Sequence, residues 1–374
     1  MLAGVLLVLF IVQVYWYSRY MAAPARQMRR ERKKSPANDH KASSPGVSVI
    51  LAAHNESYNL SKFLPSLLTQ DYPLYEVIVV DDGSEDTTRA IVEQYLTQDP
   101  RLHITFVPYG ARVQSTKKLA LTLAAKAAQY EWLLLTDADC VPESNHWISA
   151  MMEKAEKEII LGFGAYFYEK GHINRLVRFD TLFNGLHYLG DALCGHPYMG
   201  VGRNLAYRKE LFFASGGFTR MMTNRAGDDD LFVNHVATAD NTSVALSRDS
   251  FTWSIAKKTL REWLQQKRRH LSVSPAYRAG TKIRLAVEPV TRGLFYAAIL
   301  AAVAYGIRTS YFLPLYMALA LFLVRWILQT AIINISAGRM GLHTFNMFSV
   351  LWFDIVLPLV SLWMLIVPKK QTKW

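Results

Sequence analysis

The sequence predicts an α/β protein in which an open mixed sheet lies between membrane-spanning helices at the two ends of the chain. Two observations support this fold class. The 374-residue chain is 51% hydrophobic with positive mean hydropathy, and its apolar residues concentrate in long runs near both ends. Between those runs, short β-branched segments alternate with segments of helical pattern, which is typical of a sheet with crossover helices.

The net charge of +12 first suggests a nucleic-acid-binding protein. The densest basic runs, however, flank apolar segments, where they would meet anionic lipid headgroups, and no recognisable nucleic-acid motif is present. We therefore expect membrane lipid, and no nucleic acid, as a partner. The two cysteines, Cys140 and Cys194, cannot form a disulfide framework, and neither has a partner at zinc-binding spacing.

Residues 1–20 are predicted to form a transmembrane anchor, because residues 2–17 are apolar apart from Gln13. Residues 21–46 follow as a basic juxtamembrane linker. The alternative is a secretory signal peptide, for which residues 21–25 would supply a small-residue cleavage site. A signal peptide carries its positive charge before the apolar run, and here the charge follows it, so an anchor with a basic cytoplasmic side is favoured. The basic residues are Arg26, Arg29, Arg30, Arg32, Lys33 and Lys34.

Residues 285–374 are predicted to form a C-terminal membrane region with about three apolar segments. Arg325 and Asp354 interrupt these segments and are expected to face other helices rather than lipid. Three spans after the anchor would place the last three lysines outside, against the positive-inside tendency. A broken or re-entrant last segment near Pro358 would remove this conflict, and the sequence leaves both topologies open. The segments are residues 293–307, 312–335 and 345–367, and the lysines are Lys369, Lys370 and Lys373.

The middle of the chain predicts parallel strands joined by helices. The strands are short and rich in β-branched residues, which is typical of strands buried on both faces of a sheet. In such a Rossmann-like sheet, ligands bind at the carboxyl ends of the strands. The predicted strands cover residues 47–52, 76–80, 103–107 and 132–136, and the predicted helices cover residues 60–69, 87–96 and 117–129.

Acidic and polar residues follow three of these strands directly. Each group alone has an ordinary explanation, such as a turn with a helix N-cap or a chance Asp-x-Asp pair. Together, the carboxylates would crowd one rim of the sheet, where a cation or a donor-rich ligand must neutralise them. Mg²⁺ and Mn²⁺ prefer carboxylate oxygens and keep sites for phosphate oxygens, so we expect one of these metals as cofactor. The residues are Asn55, Glu56, Asp81, Asp82, Asp137 and Asp139.

The sequence resembles the family 2 glycosyltransferases of the GT-A fold, as found in membrane-anchored bacterial members. The resemblance rests on the runs at residues 47–56, 77–84 and 134–140 and extends to about residue 270. It implies a GT-A domain over residues 47–272, with a donor half at 47–140 and an acceptor half at 141–272. It further implies a nucleotide-sugar donor, usually a UDP-sugar.

The resemblance also assigns the donor-side residues. Asn55, Glu56, Asp81 and Asp82 would contact the base and ribose of the nucleotide. Lys117 would lie near the diphosphate or the sugar. Asp137 and Asp139 would form the metal-binding pair, with Asp139 favoured as the direct ligand.

The acceptor half contains a Gly-x-Gly segment at residues 200–204. A dinucleotide-binding loop is the alternative, but the third glycine and the preceding strand are missing. The resemblance places Gly202 and Asn204 at the acceptor cleft. Three aspartates after Gly227 could simply complement a helix dipole. In the family an acidic pair at this position, usually Glu-Asp, carries the catalytic base, so the candidates are Asp228, Asp229 and Asp230, with Asp229 favoured.

A later basic segment resembles the Gln-x-x-Arg-Trp motif of membrane-bound members. Gln266 and Arg269 match it, and His270 stands where the family has Trp. The motif would contact the diphosphate and the acceptor terminus, and the loss of Trp removes an aromatic platform that a growing polymer could use. Residues 255–271 also carry six basic side chains among apolar ones, as an interfacial amphipathic helix would.

The predicted function is an inverting transfer of a sugar from a nucleotide-sugar to a lipid-linked or polysaccharide acceptor. The predicted location is the cytoplasmic face of a bacterial inner membrane. Two alternatives remain: a membrane-associated sugar nucleotidyltransferase and a non-catalytic subunit of a polysaccharide assembly complex. The first would not need the late acidic and Gln/Arg motifs, and the second would be expected to have lost the metal and base aspartates.

Overall fold

The computed structural model describes residues 2–33, 44–108, 110, 113–222, 224 and 226–367. Within these residues the chain forms two sheets. The strands are β1 Val47–Ala53, β2 Tyr75–Asp81, β3 Leu102–Phe106, β4 Trp132–Leu135, β5 Cys140–Pro142, β6 Ile159–Leu161, β7 Gly164–Tyr166, β8 Leu205–Arg208, β9 Thr242–Val244 and β10 Thr252–Ser254.

The larger sheet has seven strands in the order β3-β2-β1-β4-β8-β6-β9. Strands β1 to β4 are parallel, with Val47 opposite both Tyr75 and Trp132. Strand β8 runs antiparallel to β4 and β6, so the predicted mixed sheet is confirmed. The smaller sheet has the order β5-β10-β7 and begins immediately after the Asp137–Asp139 turn.

The predicted crossover helices are present with small shifts at their ends. The first two are α3 and α4, and the third, α5, is capped by Ser115, whose hydroxyl accepts a hydrogen bond from the Lys118 backbone N–H. The helices are α1 Leu2–Trp16, α2 Ala23–Lys33, α3 Ser57–Leu68, α4 Thr88–Leu96, α5 Thr116–Ala127, α6 Trp147–Met152, α7 His172–Leu193, α8 Lys209–Ala214, α9 Asp230–Val236, α10 Leu260–Leu271, α11 Ala279–Thr309, α12 Leu313–Arg339 and α13 Met347–Ile366.

The core lies on both faces of the larger sheet. Alternate residues of a strand point to opposite faces, so Ile50 and Ile78 join one apolar cluster while Val49 and Val77 join the other. These four side chains are at most 1% exposed. The central strands are therefore held from both sides, and their carboxyl ends form a rigid base for the loops that follow them.

The chain before β1 is more ordered than the predicted linker implies. A π-helical turn at Tyr17–Met21 follows α1, and α2 then continues to Lys33. Helix α2 packs against α7 and α12, because its apolar side chains lie on one face and its basic side chains on the other. The helical part of the segment predicted as linker is thus a packed element. Residues 34–43 of the predicted linker lie outside the described residues.

Four helices of the described chain are long and apolar enough to cross a membrane: the N-terminal helix and α11, α12 and α13. The protein is therefore a membrane protein. Helix α13 runs without a break through Pro358, so a broken last segment is not observed. Lys369, Lys370 and Lys373 lie outside the described residues.

A buried polar cluster joins these four helices. The carboxylate of Asp354 accepts hydrogen bonds from Arg292 at 2.7 Å and Arg325 at 2.9 Å. Gln13 of α1 accepts from Arg325 at 3.1 Å, and Glu288 pairs with Arg292 at 3.0 Å. Arg325 and Asp354 are 1% and 2% exposed, as expected for polar residues that face other helices.

Candidate active site

The carboxylates predicted after β4 form a compact group. Ligand atoms of Asp137, Asp139 and Cys140 all lie within 4.8 Å of one another. The Cys140 thiol donates to Asp139 at 3.4 Å and also contacts the Ser254 hydroxyl at 2.9 Å. Burial raises the pKa of the Cys140 thiol, and the two aspartates raise it further, so the thiol stays protonated and orients Asp139.

Lys117 connects this group to the acidic loop at the start of α9. Its ammonium lies 2.9 Å from Asp137 and 3.2 Å from Asp228. Burial lowers the pKa of Lys117, but these carboxylates and Asp229 outweigh it and raise the pKa, which keeps the ammonium charged. Burial likewise raises the pKa of Asp137, and Lys117 more than reverses this effect. One lysine therefore bridges two acidic groups that are far apart in the sequence.

Asn55 and Glu56 shape the loop after β1. Asn55 has a positive φ of 56°, and its side-chain oxygen accepts from the Glu85 backbone N–H at 2.8 Å. Glu56 accepts from Asn59 at 2.5 Å. Burial raises the pKa of Glu56, and Asp139 and Asp137 add to this rise. The Glu56 carboxylate therefore lies within electrostatic reach of these two aspartates, which form the metal-type pair.

Asp81 and Asp82 lie at the end of β2. Asp81 accepts from the Ser84 backbone N–H at 3.0 Å and stabilises the turn. Burial raises the pKa of Asp82, which is opposed by a hydrogen bond from Thr116 at the start of α5. The loops after β1 and β2 therefore meet the first turn of α5, where Lys117 lies.

The three aspartates before α9 have different surroundings. Asp229 accepts from the Gly202 backbone N–H at 2.7 Å and from the Asp230 backbone N–H at 2.8 Å. Asp230 accepts from the Tyr277 hydroxyl at 3.0 Å. Burial and the Asp228 carboxylate raise the pKa of Asp229, and burial and Asp229 raise the pKa of Asp230. Asp228 thus pairs with Lys117, Asp229 with two backbone N–H groups, and Asp230 with Tyr277.

Gly202 and Asn204 occupy different positions. A Cβ at Gly202 would lie 3.3 Å from Asp229 Oδ2, so the absent side chain leaves the backbone close to the acidic loop. Asn204 is fully buried. Its amide donates to the Phe163 and Ser250 carbonyls, and its oxygen accepts from Trp147. Every polar atom of the Asn204 side chain is used inside the protein, so Asn204 positions the segment and does not face the acceptor cleft as expected.

The Gln/Arg segment lies on α10, beside the smaller sheet. Gln266 donates to the Tyr166 hydroxyl at 3.0 Å. Arg269 lies near enough to Asp137 to lower the pKa of that carboxyl, against the rise caused by burial. Arg269 and His270 are exposed. The helix begins with a capping box between Thr259 and Glu262, which fixes where its basic residues point.

One lysine and one arginine near the site were not assigned a role from the sequence. Lys118 is fully buried and donates to the carbonyls of Met221, Asn224 and Ala226 at 2.7, 2.6 and 2.8 Å. It thereby holds the loop that precedes the three aspartates. The Arg203 guanidinium lies 4.4 Å from the centre of the Tyr166 ring. In the sequence, the only indication of a special role for Lys118 was a positive charge within a largely apolar helix.

The residues present fit a divalent metal. Asp137 and Asp139 offer hard oxygen ligands within a few ångströms of each other, and the donor set suits Mg²⁺ or Mn²⁺. The protonated Cys140 thiol is a poor ligand for such ions. Asp137 is shared with Lys117, which leaves Asp139 with the more available carboxylate.

Comparisons with known proteins agree with this geometry. Residues 48–215 match the model of glycosyl transferase family 2. The chain is 34% identical over 96 residues to a poly-β-1,6-N-acetyl-D-glucosamine synthase of Staphylococcus epidermidis, covering 26% of this chain and 22% of the synthase. It is 33% identical over 106 residues to glycosyltransferase AglE of Haloferax volcanii, covering 28% of this chain and 33% of AglE. The chain thus spans a third or less of these relatives.

A solved structure shares the fold across nearly the whole chain. It is the mannosyltransferase PcManGT from Pyrobaculum calidifontis in complex with GDP-Man and Mn²⁺, with a TM-score of 0.55 and 21% identity. The superposition covers 91% of this chain and 99% of that one. Residues 48–215 therefore resemble glycosyl transferase family 2, and the chain shares the fold of this mannosyltransferase.

Proposed function

We propose that the protein transfers a sugar from a nucleotide-sugar to an acceptor hydroxyl, with inversion at the anomeric carbon, at the cytoplasmic face of the membrane. The observation that carries this proposal is the Lys117 bridge. It holds Asp137, of the metal-type pair, and Asp228, of the late acidic loop, within one cleft. A glycosyl transfer needs both groups, because one side must stabilise the leaving diphosphate and the other must accept a proton.

The donor half would bind the nucleotide. Asn55, Glu56, Asp81 and Asp82 line the loops where the base and ribose would lie, and Lys117 would contact the diphosphate or the sugar. Asp139, with Asp137, would hold Mg²⁺ or Mn²⁺. When bound, such a metal stabilises negative charge on the departing diphosphate.

Asp229 is the proposed base. Its carboxylate is oriented by the backbone N–H groups of Gly202 and Asp230, and its raised pKa makes it a stronger proton acceptor than an ordinary aspartate. It would take the proton of the acceptor hydroxyl as that oxygen attacks the anomeric carbon. The bond from that carbon to the diphosphate breaks, and the nucleoside diphosphate leaves with the electron pair. A single displacement of this kind inverts the anomeric centre.

The acceptor is proposed to be lipid-linked or a cell-envelope glycan, and the location a bacterial inner membrane. Two observations support an acceptor at the membrane. The Gln266 and Arg269 helix is followed after a few residues by α11, which is apolar enough to span the bilayer. Helix α10 also contacts α13, another such helix. The poly-N-acetylglucosamine synthase among the relatives is consistent with a polysaccharide product.

The test is release of nucleoside diphosphate by the full chain in detergent, with and without Mn²⁺, across UDP- and GDP-sugars. Wild type is compared with Asp139→Ala, Asp229→Asn and the exposed control Asp240→Asn. We expect metal-dependent release from one donor, loss in Asp139→Ala and wild-type behaviour in Asp240→Asn. Asp229→Asn should bind the nucleotide normally and lose transfer to an acceptor.

Two outcomes would contradict the proposal. Formation of pyrophosphate from a nucleoside triphosphate and a sugar phosphate would identify a nucleotidyltransferase. Absence of nucleoside diphosphate binding by calorimetry, for both UDP and GDP, would identify a non-catalytic protein.

A further inference from the structure

Neighbouring residues fix the direction in which the Arg203 side chain extends. Its guanidinium lies over the Tyr166 ring at 4.4 Å, and Tyr166 is fixed in turn by Gln266. A Cβ at Gly164 would lie 2.3 Å from Arg203 Nε, so this glycine leaves the space that the side chain crosses. The Arg203 carbonyl accepts from Thr136 at 3.3 Å and Thr252 at 3.0 Å, which anchors the backbone.

The guanidinium of Arg203 has hydrogen-bond donors without a partner in the described part of the chain. Among the residues that the structure describes, Arg203 makes no side-chain hydrogen bond and no ion pair, and its stacking on Tyr166 leaves the edge of the guanidinium free. Arg208, five residues later, also lies over an aromatic ring, Trp132, but pairs with Glu131. A guanidinium offers five N–H donors in a planar fork that suits phosphate oxygens. The N–H groups of the half-buried Arg203 are therefore available to bind an anion that is not part of the protein.

The position of Arg203 identifies where that anion would lie. The Arg203 carbonyl accepts a hydrogen bond from the Thr136 hydroxyl, and Thr136 directly precedes Asp137. Among the described residues, the Arg203 guanidinium is hydrogen-bonded to neither Asp137 nor Asp139. Arg203 thus lies in the acceptor half, beside the strand end that leads into the metal-type pair. A diphosphate that bridges the loops after β1 and β2 and the pair would pass within reach of the guanidinium.

We infer that the Arg203 guanidinium binds the diphosphate of the nucleotide and stabilises the charge that grows on it as the bond to the sugar breaks. This inference rests on the proposed function. The guanidinium would bind phosphate oxygens, and both the donor diphosphate and an anionic acceptor headgroup can supply them. We assign the donor diphosphate, because the Arg203 backbone is hydrogen-bonded to Thr136, directly before the Asp137–Asp139 pair.

The experiment compares nucleotide binding in wild type and Arg203→Met, using the full chain in detergent at saturating Mn²⁺ and without acceptor. UDP and GDP are titrated calorimetrically, each beside its monophosphate and its nucleoside. Loss of one charge-assisted hydrogen bond to a phosphate predicts about 10- to 100-fold weaker binding of the diphosphate. Nucleoside binding should change less than about twofold, because the base contacts lie in other loops. Arg203→Lys should recover part of the loss, since it keeps the charge without the planar fork.

Two further variants separate a binding role from a structural one. Gly164→Ala leaves Arg203 in the sequence but obstructs its path, so it should weaken diphosphate binding selectively. Arg208→Met is the matched control, because it removes a ring-stacked arginine outside the cleft and should leave diphosphate binding unchanged.

The failure of this inference is distinguishable from failure of the proposed function. If wild type binds neither UDP nor GDP, the proposed function itself is wrong. If wild type binds a diphosphate and Arg203→Met binds it equally well, the assignment of Arg203 is wrong. An Arg203→Met variant that changes only the KM for an anionic acceptor would assign the guanidinium to the acceptor headgroup and would equally overturn it.

Discussion

Removal of the Asp354 carboxylate should destabilise the membrane bundle strongly. Asp354 accepts from Arg292, Arg325, Tyr296 at 2.6 Å and Gln329 at 2.7 Å, and its side chain is fully buried. These donors come from α11 and α12, while the carboxylate comes from α13. Three of the four membrane helices therefore meet at one acidic side chain.

The magnitude follows from the charges. Arg292, Arg325, Asp354 and Glu288 together are neutral, so Asp354→Asn leaves one buried guanidinium without a counterion. Breaking a buried ion pair by removing one partner costs about 3–5 kcal/mol. The double variant Arg325→Met with Asp354→Leu should cost less than Asp354→Asn alone, because Arg292 keeps Glu288 as its partner and no charge is left unpaired.

The assay is thermal unfolding of the full chain in detergent, followed by the circular dichroism of its helices. Asp240→Asn, at an exposed position, is the control and should unfold with wild type. A loss smaller than about 1 kcal/mol for Asp354→Asn would refute the reasoning. A double variant less stable than Asp354→Asn would refute it as well, because it would show that the carboxylate is not stabilised chiefly by its charge partners.

Three further predictions concern the site. Lys118→Met should lower kcat by about 10²-fold, because the loop before the aspartates loses its three carbonyl contacts, while nucleotide affinity stays within about twofold; equal losses in both would contradict a positioning role. The kcat/KM should fall as pH drops through a pKa above the ordinary 3.8 of aspartate, since protonated Asp229 cannot act as base, and Asp228→Asn should move this limb to lower pH by removing a like charge. An unmoved limb would show that another group titrates. Asn204→Ala should cost about 3 kcal/mol of stability with unchanged nucleotide binding, because it removes three buried hydrogen bonds; normal stability with weaker acceptor use would instead support a role in the cleft.

The fold class and much of the site could be predicted from local patterns. Residues 47–52 and 132–136 are β-branched or apolar runs, and buried strands of a parallel sheet require such runs. Glu56 after β1 and the aspartates after β4 lie near one another because parallel strands place their carboxyl ends at the same edge. Lys117 was also expected in the cleft, although its double contact with Asp137 and Asp228 was not.

The predictions that differ from the structure concern features that depend on tertiary packing and not on the local residue pattern. The basic segment after α1 was expected to be a linker, and its helix forms because α7 and α12 cover its apolar face. Asn204 was expected at the acceptor cleft. A motif gives the position of a residue in the chain but not the direction of its side chain, and here that side chain points into the core.

By itself, the sequence determined where strands, helices and membrane segments form and which residues could carry the chemistry, because these depend on local periodicity and residue type. Only the tertiary structure decided how distant residues are combined. It bridged Asp137 and Asp228 through Lys117, stacked the Arg203 guanidinium on the Tyr166 ring, and joined four helices around one polar cluster. Such contacts join residues from about 20 to more than 300 positions apart, and their distances are set by the packing of the whole sheet and bundle.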